Sequence, residues 1–346
     1  MKIIVALIIF SIIILFHELG HFLLAKKNGI KVNEFSLGLG PTLFGVRKGD
    51  TLYCVKLLPF GGACMMEGED GESSDSGAFN SKSVWARISV VAAGPVFNFI
   101  MAFVFSFIIV CAVGYDAPVL NGVSEGYAAE EAGLIAGDKI VKMGNENIHF
   151  YREISTYGMY HEGESVEVTY ERDGEKYTTV LVPKYDEELG RYLYGFIGST
   201  ARMKDTNNIF VLMKYSVYEV GYWIESTIDS LGMMISGNVS VNDVSGPVGI
   251  VSVIGSSYEE AVSDGVFVAF LQMLYICVFL SANLGVMNLL PIPALDGGRL
   301  VFLIIEAIRG KKVSPEKEGM VHFVGMMLLF GLMIVVMFND IRKLFV

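Results

Sequence analysis

Four apolar runs set the first constraint on this 346-residue chain: Ile3–Ala25, Ile88–Gly114, Val266–Leu290 and Met320–Phe338. About 20 apolar residues cover the hydrocarbon core of a bilayer, and each run is long enough. Backbone in lipid must satisfy its own hydrogen bonds, which continuous runs of this length do as helices. Composition agrees, with 53% hydrophobic residues and a mean hydropathy of +0.51. The first run follows a single Lys2 and meets no small-residue cleavage site before Lys26-Lys27. It therefore reads as a span and not as a removed leader.

Inside that first run lies His17-Glu18-Leu19-Gly20-His21. On a helix the two histidines stand at i and i+4, so both imidazoles leave one face and can share a metal ion. Glu18 falls beside them, where a carboxylate can take a proton from an activated water. Ionisable groups at membrane depth cost about 2.5–3.5 kcal/mol each on insertion scales. The apolar flanks thus remove the bland reading of a surface histidine pair, and the pattern suggests a metalloprotease working within a membrane.

Charge is unevenly distributed. From Tyr115 to Val262 there are 23 acidic and 10 basic residues, against a net −11 for the whole chain. Such an acidic block of mixed polarity reads as a folded aqueous domain and excludes a nucleic-acid binder. Lys and Arg concentrate in the Lys26–Arg87 and Pro291–Gly319 loops. By the positive-inside rule both loops are cytoplasmic, which places the acidic domain outside. No C-x-x-C pair offers a thiolate metal site.

Residues 31–62 alternate apolar and polar positions around Gly38, Gly40 and Pro41. A second β-like run, Thr51–Leu58, is ended by Pro59-Phe60-Gly61-Gly62. Strand edges this close to lipid need protein or water as partners, and an extended substrate could supply them by strand addition. Glu67–Ser76 is an acidic, Gly/Ser-rich loop. The second run holds Gly94-Pro95-Val96-Phe97-Asn98, a proline kink with a helix-packing glycine, and Asn98 should face protein or a cavity. In the acidic block, Ala128–Val141 combines a short helix, a glycine turn and a strand, and Asp173-Gly174 joins two alternating strands as a hairpin. Thr206–Gly237 has helical spacing and interspersed charges, which favours an amphipathic helix on the membrane surface. Ser245–Ile250 reads as a further turn.

The third run ends in Asn288-Leu-Leu-Pro291-Ile-Pro293-Ala-Leu-Asp296. The two prolines should break the helix, and backbone freed there must line a cavity or be buried. A catalytic zinc site has three protein ligands and one open position. Asp296, beside the broken helix and on the same side as the histidines, is the expected third ligand. Glu18 is the expected acid/base. Asn283, Asn288 and Pro293 are candidates for orienting substrate or stabilising an oxyanion. His322, alone in the fourth run, reads as a packed or cavity-facing histidine.

Together, His-Glu-Leu-Gly-His, Gly94-Pro95-x-x-Asn98, the stretch Ala132-Gly133-Leu134-x-x-Gly137-Asp138-x-Ile140, and Asn288-x-x-Pro291-x-Pro293-x-x-Asp296-Gly297 resemble the site-2 protease family. The likeness is to its bacterial branch, similar to the regulator of sigma-E protease. It implies Zn2+ bound by His17, His21 and Asp296, with Glu18 catalytic. It also implies substrates that are single-pass transmembrane proteins such as anti-sigma factors. The chain has room for one PDZ-like domain, where the best-studied enterobacterial-type members carry two. A PDZ-like domain would bind peptide ends at a loop around Tyr194–Gly198.

The expected fold is a polytopic α-helical membrane protein of four spans, with a membrane-associated β-hairpin region and an inserted extracytoplasmic α+β PDZ-like domain. Its segments are 1–30 (first span), 31–87 (cytoplasmic-side β region and loop), 88–114 (second span) and 115–204 (PDZ-like domain). They continue with 205–262 (amphipathic surface helix and linker), 263–310 (third span and ligand segment) and 311–346 (fourth span). Two rival classes remain at this level. A non-proteolytic PDZ-bearing scaffold would tolerate loss of Glu18. A metal transporter should carry paired acids along its path, and the second to fourth runs lack any Asp or Glu.

Overall fold

A computed structural model describes residues 2–69, 71, 73–198, 208–237 and 245–343. The expected boundary between 204 and 205 lies outside the described residues. The chain forms two compact units, one of residues up to Phe105 and from Ser230 onward, the other Ser106–Asp229.

The first unit opens with α1 (Lys2–Lys27). Two long strands follow, β1 (Val32–Lys48) and β2 (Thr51–Met66). Both fold back on themselves. Glu34–Leu37 pair with Gly62–Met65 and also with Leu52–Val55, while Thr42–Lys48 pair with Thr51–Lys56. The sequence suggests that the second strand stops at Pro59; instead it resumes. Gly61 takes a positive φ of 86°, a backbone state open to glycine. The chain bends there, and Gly62–Met66 finds partners in the far limb of β1. Cys64 and Met66 join Ala25 of α1 in a buried core.

The helix α2 (Val84–Val113) carries Pro95 inside it. Helices α1, α2 and two further apolar ones described below are long and apolar enough to cross a membrane.

The second unit is a small α+β domain. In chain order it contains β3 (Leu120–Val123), the one-turn helix α3 (Ala128–Glu131), β4 (Lys139–Met143), β5 (Glu146–Asn147) and α4 (Tyr151–Tyr160). Strands β6 (Val166–Arg172), β7 (Glu175–Leu181), β8 (Lys184–Asp186), β9 (Arg191–Leu193) and β10 (Phe196–Gly198) complete it. Its main sheet has the order β5-β4-β6-β7, and β10 pairs with β3. Asp173 and Gly174 both take positive φ, 54° and 83°, as the tight β6–β7 hairpin requires. A core of Leu134, Ile140, Met143, Val168 and Leu181 fills the interior. Asp138 is fully buried and receives Arg172 Nε at 2.7 Å. Burial raises its pKa, but Arg172 and the Ile135 amide outweigh that and hold it below the usual carboxylate range.

Helix α5 (Ile209–Ile235) is amphipathic. Tyr215 stacks on Tyr115 with centroids 3.4 Å apart, and buried Glu219 pairs with Arg152. Ile209, Phe210, Met213 and Val217 are exposed.

The first unit resumes with α6 (Pro247–Ser263), α7 (Val266–Leu289), α8 (Asp296–Arg309) and α9 (Pro315–Lys343). The helix α6 corrects the expected turn at Ser245–Ile250. Its first turn is capped by a residue 94 and 91 positions from the amides it accepts: the Asp340 carboxylate accepts the Gly246 and Gly249 amides at 3.0 and 2.8 Å. A carboxylate at a helix N-terminus satisfies orphan amides and complements the dipole. Nothing local announces it. Ile254 of α6 packs with Ile9 and Ile13 of α1 and Cys277 of α7. In α9, Phe323, Leu328 and Phe338 stay exposed, as suits a helix bathed in lipid.

Candidate metal centre

His17 and His21 are both 8% exposed on α1. They face α2, and glycine makes the approach possible. A side chain at Gly20 would strike the Ala93 carbonyl, and one at Gly94 would strike His21 Nε2 and lie 2.6 Å from His17 Cε1. The two helices therefore meet nearly backbone to backbone, the close packing that small residues permit in membranes.

Each imidazole is oriented from its far side. His21 Nδ1 donates to the Val90 carbonyl at 2.9 Å, which leaves Nε2 unprotonated. His17 Nδ1 lies 3.1 Å from the Asn98 carboxamide. Asn98 is fully buried and its Oδ1 has no other partner. The amide orientation that turns Oδ1 to His17 accepts the Nδ1–H and leaves Nε2 with its lone pair. From the sequence Asn98 is a polar residue at depth that should face protein or a cavity, with no partner named. Its four-residue spacing from Gly94 was the available signal.

Asp296 is the first residue of α8, after the segment broken by Pro291 and Pro293. Side chains at Gly297 and Gly298 would strike the carbonyls of Leu290 and Ile292, so the glycine pair lets the first turn of α8 tuck under the loop. Asp296 Oδ2 reaches 3.2 Å from His17 Nε2 and 3.5 Å from His21 Nε2, and the two Nε2 atoms stand 3.1 Å apart. Three donors about 2.0–2.2 Å from one zinc have separations of this order. Oδ2 is buried and accepts no hydrogen bond, an orphan that a cation satisfies. Among the described residues, these three form the group of His, Cys and acidic side chains that could hold a metal. The donor set fits zinc.

Glu18 is half-buried, and its carboxylate accepts the Cys64 backbone amide of β2. Gly62 lies over it: a side chain there would sit 3.1 Å from Glu18 Cγ. Asn283 and Asn288 are half-buried on α7. No hydrogen bond among the described residues ties either to the cluster. Pro293 packs against Gly325 of α9. His149 and His161 belong to the second unit.

In that unit a groove of about 560 Å³ runs beside α4 and β10, lined by Tyr151, Ile154, Gly158, Tyr194, Gly195 and Phe196. The loop suggested by the sequence for peptide ends borders it.

Four apolar helices around a His-Glu-x-x-His face with a converging aspartate define a membrane-embedded zinc metalloprotease. The model of peptidase family M50 matches residues 5–332, and the chain belongs to that family. A Clostridium acetobutylicum protein described as a zinc metalloprotease is 39% identical over 98% of this chain and 97% of its own length. Zinc metalloprotease RasP of Bacillus licheniformis is 32% identical, with 98% of each chain covered. Regulator of sigma-W protease RasP of Bacillus subtilis is 30% identical, again over 98% of each.

Proposed function

We propose that His17, His21 and Asp296 hold the zinc, that Glu18 is the catalytic acid/base, and that the substrates are transmembrane segments of single-pass proteins. Anti-sigma factors are the favoured class, given the sigma-W regulator among the relatives. The observation that carries this reading is the convergence of Asp296 on two imidazoles of an apolar helix, the three donors 3.1–3.5 Å apart, beside a strand edge.

When bound, zinc supplies a Lewis acid that polarises the scissile carbonyl and acidifies water. Glu18 takes the proton of the attacking water and passes it to the leaving amine. The Cys64 amide fixes the Glu18 carboxylate, so the base is positioned by the same strand that can receive substrate. A transmembrane helix keeps its backbone hydrogen-bonded, so its scissile bond must first be unwound. Gly62–Met65 pairs on one side with β1. Its outer edge has no strand partner among the described residues and can hold the unwound segment by β-addition. Asn283, Asn288 and Pro293 are the candidates for contacting it there.

The active site faces the cytoplasm and the PDZ-like domain lies outside, as the basic loops direct. Its groove takes peptide ends, such as the new terminus left when a substrate is first trimmed outside the membrane.

Two experiments test these points. With Glu18→Gln as a trap, a photo-cross-linker at exposed Met65 should capture substrate residues flanking the scissile bond. Capture confined to residues far from that bond removes the strand reading. Separately, a free-acid peptide supplied to spheroplasts should bind saturably and its C-terminal amide should not. Equal binding of the two abolishes the groove's role, and binding only after lysis reverses the orientation.

A further inference from the structure

Leu290–Leu295 is the segment that delivers Asp296, and it is poor in backbone donors. Pro291 and Pro293 have none. The Ile292 amide bonds the Leu290 carbonyl at 2.7 Å and the Leu295 amide bonds the Ile292 carbonyl at 3.2 Å. The Leu290 amide closes α7 on the Met287 carbonyl at 3.2 Å, and the remaining donor in the bend is the Ala294 amide, two residues before the carboxylate. It leaves the segment altogether and donates to His322 Nδ1 of α9 at 2.9 Å.

Ala294 is also one of two non-glycine residues with positive φ among those described, at 75°. An L-residue with a Cβ persists in that region only where its surroundings over-determine it. Here they do. Gly325, one turn beyond His322, lacks the side chain that would strike Pro293. Phe302 of α8 packs on the His322 ring with centroids 5.7 Å apart. Accepting at Nδ1 leaves the His322 proton on Nε2, which lies 4.0 Å from Glu318 Oε1. The imidazole is thus held by the Ala294 amide and packed by the Phe302 ring, with Nδ1 aimed at that one amide.

We propose that His322 is a positioning residue for the third metal ligand: by accepting the Ala294 amide it locks the left-handed bend that sets Asp296 opposite His17 and His21. The fourth span, most of whose surface is exposed, then has a defined task as the clamp on the ligand loop. This rests on the reading of Asp296 as a ligand.

The test uses the full chain in detergent, with bound zinc measured by elemental analysis after dialysis against graded chelator. His322→Leu removes the acceptor and should weaken zinc retention on the order of tenfold, the usual effect of losing an outer partner of a ligand. His322→Asn restores an acceptor oxygen near the Nδ1 position and should retain zinc as the parent does. His322→Gln, whose oxygen falls near the Nε2 position, should lose zinc as the leucine variant does. Adding Ala294→Gly to His322→Leu relieves the backbone and should recover part of the loss. Zinc retention by His322→Leu equal to the parent's overturns the proposal, as does identical behaviour of the Asn and Gln variants. The Asn/Gln pair decides even where the leucine variant does not accumulate. Absence of zinc from the parent protein would instead overturn the metal-site reading itself.

Discussion

Glu18→Gln is expected to keep its zinc and to lose cleavage of a co-expressed single-pass substrate by about 10²–10⁴-fold, the range that positioned proton transfer supplies. That is about 3–5 kcal/mol of transition-state stabilisation. The amide matches the carboxylate in shape, and its oxygen can still accept the Cys64 amide. What it cannot do is take a proton. The result separates chemistry from construction: zinc per polypeptide should be unchanged while turnover collapses. Cleavage at the parent rate would remove Glu18 from the mechanism. Loss of zinc together with activity would make it a structural part of the site.

Gly94→Ala should produce the reverse pattern, an enzyme that loses metal first and activity in consequence. The new methyl would lie against His21 Nε2 and His17 Cε1, on the ring edges turned toward Asp296. Neither ring is a flexible end that can swing aside. His21 is tied to Val90 and His17 sits against Asn98. Overpacking a fixed core costs about 1–3 kcal/mol, so zinc should bind on the order of 10–100-fold more weakly in a chelator titration. Gly232→Ala on α5 is the control, since a methyl there meets nothing within 4 Å. Unchanged zinc affinity in Gly94→Ala would mean that the imidazoles relax more freely than the helix contact allows.

These two glycine positions look alike in sequence, and that bears on how much the sequence discloses. Gly94 reads from sequence as a packing residue in a kinked helix. It is one, but what it packs against is the Asp296-facing edge of two histidines. The pairing of His17 with His21 is legible because helical periodicity alone puts i and i+4 on one face. Asp296 is legible by chemistry, as an acid after a proline-broken helix; its 3.2 Å approach to His17 depends on Gly297, Gly298 and the bend at Ala294. Asn98 and His322 are visible as polar residues in apolar runs, yet their partners, 81 and 28 residues distant, are not.

The sheet and α6 show the same limit. The β-character of residues 31–58 follows from alternation. The return of the chain at Gly61 to place Gly62–Met65 beside Glu18 does not, because that strand is specified by the limb of β1 it meets. The helix at Pro247 has a favourable first residue, but its cap is Asp340.

By itself, then, the sequence determined what local periodicity and transfer energy can encode: four spans, an acidic aqueous domain with its Asp173-Gly174 hairpin, and one helix face bearing two imidazoles and a carboxylate. The tertiary structure alone decided which distant groups complete that face. A backbone amide at Cys64, a carboxamide at Asn98 and a proline-rich bend held by His322 act through distances of a few ångströms, and such contacts are fixed by helices and strands packing together, not by spacing along the chain.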